Sequence, residues 1–130
     1  MSRIRMMAPI IVGLVAGSGA ALPDAQAQQL DLDEVFRCSG ETVSSENCLA
    51  ARQVILNDCT TCHTFVPIVM QPFDDNGWRG LLTRHVENGR VTQVPPDQIE
   101  NLRLYLAENF NGDLPPPELP PALLETWTSY

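Results

Sequence analysis

The sequence has no lysine. All 8 of its basic residues are arginine, set against 16 Asp and Glu, for a formal net charge of −8. Nucleic-acid binding needs clustered cations to neutralise phosphates, so that class is excluded, and an anionic membrane surface is a poor partner for the same reason. Aromatic residues make up only 6% of the chain, which leaves a thin core for side chains alone to fill. There is no internal repeat and no strand-like alternation longer than a few residues. A length of 130 residues suits one modest domain.

The longest apolar run lies at the N-terminus. Arg3 and Arg5 precede an apolar stretch over residues 6–22, and Ala25-Gln26-Ala27 follows. This is the layout of a cleaved secretory signal over residues 1–27. Pro9, Gly13, Gly17, Ser18 and Gly19 interrupt the run, which argues against a retained membrane span. No later stretch is suited to crossing a bilayer, so no stable membrane insertion is expected after cleavage. Loss of Arg3, Arg5 and Asp24 with the signal leaves 103 residues carrying a net charge of −9. Export places the chain in the periplasm, where disulfides persist.

The remaining text is helical. Residues 28–44 read as a polar lead-in, a loop or extended segment. From Ser45, Cys48, Ala51 and Ile55 recur at helical spacing with Ser44 or Ser45 as the cap. Residues 64–77 break regularity through Pro67, Pro72 and the turn cluster Asp74-Asp75-Asn76-Gly77. A second helix is predicted from about Trp78 to Asn88-Gly89, with Trp78, Leu81, Leu82 and His85 on one face. A third opens at Pro96, carries the stripe Ile99, Leu102, Leu106 and Phe110, and stops at Asn111-Gly112. Residues 114–130 form a Pro-rich tail with five prolines between 114 and 121. It is expected to run extended and irregular as a strap over the domain, with a recognition motif as the other reading. The fold class is all-α, with the domain proper over residues 45–113.

All four cysteines, Cys38, Cys48, Cys59 and Cys62, fall in the first third of the exported chain. Cys59-Thr60-Thr61-Cys62-His63 is C-x-x-C-H, the attachment sequence for c-type haem. Two thiols three positions apart reach the two vinyl groups of one macrocycle, and the adjacent imidazole ligates its iron. A carbonyl within residues 66–72 is expected to accept from the other nitrogen of His63. A thioredoxin-like redox pair needs a βαβ pattern that is missing here. A zinc site is poorly served by the spacing of the four cysteines. Cys38 and Cys48 are most simply a disulfide, worth roughly 2–3 kcal/mol through loop entropy.

With this motif between a preceding helix and two following ones, residues 45–111 resemble a class I-like monohaem cytochrome c. The resemblance implies one covalent haem c, held by Cys59 and Cys62 with His63 as proximal ligand. It also implies an electron carrier rather than an enzyme in its own right, or the electron-accepting subunit of an oxidoreductase. Ala50 and Ala51 would then permit a close crossing of the first and last helices.

The sixth ligand departs from the family pattern, which has Met downstream. The exported chain contains one Met, Met70, and one further His, His85. Small bacterial modules of this type show Trp-x6-Met on the middle helix, and Trp78 plus seven is His85 here. His85 is the expected distal ligand, with Met70 or an open site as alternatives. An open or displaceable site would make the protein a haem-based ligand sensor instead. Unhaemylated thiols would make it a thiol oxidoreductase. The acidic surface calls for a redox partner with a basic patch, or else for docking through an apolar rim.

Overall fold

A computed structural model describes residues 30–128, and the expected signal segment with its cleavage site lies outside them. The described residues are all-α: α1 (Leu32–Val35), α2 (Ser45–Asn57), a 3₁₀ turn (Cys59–Thr61), α3 (Val66–Val69), α4 (Asp75–Glu87), α5 (Pro96–Asn109) and α6 (Pro121–Thr128). None of them is long and apolar enough to cross a membrane.

Helix α2 starts where its cap demands. The Ser44 hydroxyl accepts from the Asn47 N–H at 3.2 Å, and Glu46 sits in the first turn. Cys48, Ala51, Val54 and Ile55 form its buried face, which packs across α5. Ala51 is fully buried and Ala50 is exposed, so only one of the two small residues serves the packing. Pro96 opens α5, whose Leu102, Tyr105 and Leu106 are buried, and α4 lies against the same helix.

Helix α4 begins at Asp75, three residues earlier than its apolar stripe indicates. The acidic cluster that reads as a turn is the cap itself: the Asp74 carboxylate accepts from the Gly77 N–H at 2.8 Å, and Asp75 occupies the first turn. A Cβ on Gly77 would stand 2.9 Å from the Cβ of Phe73, so glycine is what lets the chain fold tightly there. Arg103, buried on α5, ties the helices together by ion pairs to Asp75 and to Glu100.

Two expectations are corrected outside the central helices. The described part of the expected lead-in, residues 30–44, is more than a loop or extended segment. Asp31 caps the single-turn α1, and Val35 and Phe36 enter the core, with the Phe36 ring edge-on to Phe65 and Phe110 at 5.3 and 6.4 Å. The loop that follows is held by the Cys38–Cys48 disulfide, and the Glu108 carboxylate accepts the Thr42 and Val43 N–H groups at 2.6 and 3.1 Å. The tail is not irregular throughout either. It runs without regular structure over residues 115–120, where the Pro115 carbonyl accepts from Arg37 at 2.7 Å and Leu119 packs against the core. It then forms α6, which rests on α3. Proline is favoured in a first helical turn, and the Ala-Leu-Leu-Glu that follows Pro121 consists of good helix formers.

Candidate functional site

The C-terminus of α2 becomes the 3₁₀ turn because the two threonines between the cysteines satisfy its last carbonyls. The Thr60 hydroxyl donates to the Leu56 carbonyl at 2.6 Å, and the Thr61 hydroxyl to that of Asp58 at 2.7 Å. This turn presents Cys59 half-buried and Cys62 exposed, both as free thiols. Burial, and then the charge of Asp58, push the Cys59 thiol up to about 11. Cys38 and Cys48 are joined to each other with their Cα atoms 5.9 Å apart. Among the described residues, no group of three or more His, Cys, Asp or Glu gathers closely enough to hold a metal ion, so the four-cysteine zinc arrangement is not formed. Among the described residues no strand accompanies the C-x-x-C pair, as a thioredoxin-like unit requires.

His63 follows the turn. Its Nδ1 lies 2.7 Å from the carbonyl oxygen of Thr64, not from one within residues 66–72. The reason is α3: Val66 and Ile68 already give their carbonyls to backbone N–H groups of this short helix and its exit. His85, in the last turn of α4, places its Nδ1 2.9 Å from the Leu81 carbonyl. A carbonyl only accepts, so Nδ1 carries the hydrogen in both rings. In each neutral ring the bare nitrogen, the one free to accept or to ligate, is then Nε2.

These side chains share one cavity of about 240 Å³ with a largely apolar wall. Cys59, Cys62, His63 and His85 line it, with Trp78, Leu81, Leu82, Leu102 and Leu106 among the apolar residues around them. Met70 caps the end of α3 and packs against the core, outside the cavity lining. The indole N–H of Trp78 is directed away, to the Phe110 carbonyl at 2.8 Å. Two thiols, two imidazoles with bare nitrogens and a mostly apolar wall form a donor set that fits a covalently held haem.

Three cavity-lining polar residues escaped the sequence reading: Asp58, Gln71 and Arg90. Arg90 arrives there through the end of α4. Gly89 adopts φ +68, its N–H donates to Val86, and the Arg90 N–H donates to the His85 carbonyl at 2.8 Å. This is a Schellman termination, and it folds Arg90 back beside His85. Asn88-Gly89 signalled the stop, but spacing alone does not say which way the next side chain turns. On the outer side of the motif a shallow groove runs between Thr60, Thr61, Cys62, Phe65 and Leu123, with no Asp, Glu or Arg along it.

Compared with protein-family models, characterised proteins and solved structures, the chain matches none.

Proposed function

We propose that this chain is a periplasmic c-type cytochrome that carries single electrons, alone or as the electron-accepting subunit of an oxidoreductase. The observation that carries the reading is the convergence of the C-x-x-C-H side chains and His85 on one mostly apolar cavity. Cys59 and Cys62 would hold one haem c through thioether bonds, and His63 would offer Nε2 to its iron. His85 would offer Nε2 as the second ligand, and Met70, which does not line the cavity, would not compete for it. A haem held there supplies a reversible one-electron couple at its iron. Leu81, Leu82, Leu102 and Leu106 limit water at the site. Imidazole in place of a thioether sets the reduction potential low.

The partner presents a basic patch, drawn by the acidic surface. The alternative is docking through an apolar rim, for which the groove beside Cys62, with no Asp, Glu or Arg along it, is suited. Export by residues 1–27 delivers the chain to the compartment where the haem is attached.

The deciding experiment is expression with a cytochrome-maturation system. The expected product is red, with a Soret band and the pyridine haemochrome of a thioether-linked haem. His85→Ala should turn a low-spin six-coordinate ferric spectrum into a five-coordinate or water-bound one, while Met70→Ala leaves it unchanged. A colourless product overturns the haem. An unchanged spectrum in His85→Ala removes that residue from the iron. Rapid, complete carbon monoxide binding by the reduced wild type would favour a ligand sensor over an electron carrier.

A further inference from the structure

A haem bears two propionate carboxylates, and a carboxylate beside an apolar wall must find a countercharge or hydrogen-bond donors. The cavity offers few. Arg90 is its single cation, and Asp58 is of the wrong sign. The indole N–H of Trp78 is engaged by Phe110, and Gln71 contributes a neutral amide. Within the described residues Arg52, Arg79 and Arg103 form ion pairs and Arg37, Arg84 and Arg90 form none; of these three, Arg90 is the one that lines the cavity. Its backbone is not loose, because the Schellman turn fixes it to the His85 carbonyl. An always-charged fork without an ion pair therefore lines a cavity that no other arginine lines.

We infer that Arg90 is a positioning residue that binds a propionate carboxylate of the haem, with Gln71 as neutral donor on the same wall. The inference rests on the haem reading. Arg90 would hold the occupant by its carboxylate, and the turn that ends α4 ties its backbone to that of His85. A guanidinium pairs with a carboxylate through two parallel hydrogen bonds. Lysine therefore restores the charge at that position without restoring the fork.

The test uses the full chain matured with haem labelled with ¹³C at the propionate carboxyls. Wild type, Arg90→Gln, Arg90→Lys and Arg84→Gln are compared. Arg84, exposed like Arg90, lies in the last turn of α4 and does not line the cavity, so its variant removes one charge without touching the site. Redox-difference infrared spectra should show the labelled carboxylate band displaced in Arg90→Gln and unmoved in Arg84→Gln. The reduction potential should fall further in Arg90→Gln than in Arg84→Gln and return towards wild type in Arg90→Lys. Superimposable carboxylate bands in wild type and Arg90→Gln overturn the inference. Equal effects of Arg84→Gln and Arg90→Gln on band and potential also overturn it. Absence of a pyridine haemochrome in the wild type fails the underlying reading instead, and is seen before any variant is compared.

Discussion

Cys59 and Cys62 are three positions apart and meet solvent differently, the first half-buried and the second exposed. In haem-free protein, iodoacetamide should therefore alkylate Cys62 first, as read by peptide mass mapping. The half-buried thiol also sets a pH dependence. Folding raises Cys59 from the ordinary 9.0 to about 11, so the fold favours the neutral thiol. That contribution is fully present below pH 9 and is lost as pH rises through about 11. Tyr105 is shifted the same way, chiefly by burial, and weakens the fold at still higher pH. Urea midpoints of the haem-free chain should fall between pH 8.5 and 11, and Cys59→Ala should remove the lower part of that fall. A thioether does not titrate, so the haem-bearing protein should lack it as well.

At the scale of elements, the close approach of α2 and α5 depends on Ala51. Ala51→Leu should cost about 1–3 kcal/mol by overpacking, whereas Ala50→Leu, on the exposed face, should stay within about 0.5 kcal/mol. Chemical denaturation of both variants checks this. Helices α2, α4 and α5 were legible because each is long enough to show an apolar face at helical spacing, and Ser44, Gly89 and Pro96 mark their ends as expected. The true start of α4 was hidden because Asp74 and Asp75 are as suited to a turn as to a cap. Helices α1 and α3 have four residues each, too few for any period to register. The rise of α6 out of the proline run was masked by those same prolines. Within the site, Cys59, Cys62 and His63 could be read because they are contiguous. The approach of Arg90 and Gln71 to the cavity is tertiary, and no spacing rule announces it.

For the whole molecule, the Cys38–Cys48 bridge closes the segment that carries Phe36 onto α2. Replacing both cysteines by serine should lower stability by roughly 2–3 kcal/mol in urea titrations, with haem attachment at Cys59 and Cys62 intact. A net charge of −8 over the full sequence should make electron transfer to a basic partner slow as ionic strength rises. Stopped-flow rates across a salt series measure it, and a flat profile would assign recognition to the uncharged groove alone. The Arg37 bond to the Pro115 carbonyl joins the two outer stretches of the chain directly. Tension applied through handles at either end is borne first by that staple and by the Phe36 ring cluster. A single-molecule pull should therefore peel the outer stretches in an early, low-force event, while the helices around the cavity still hold their grip.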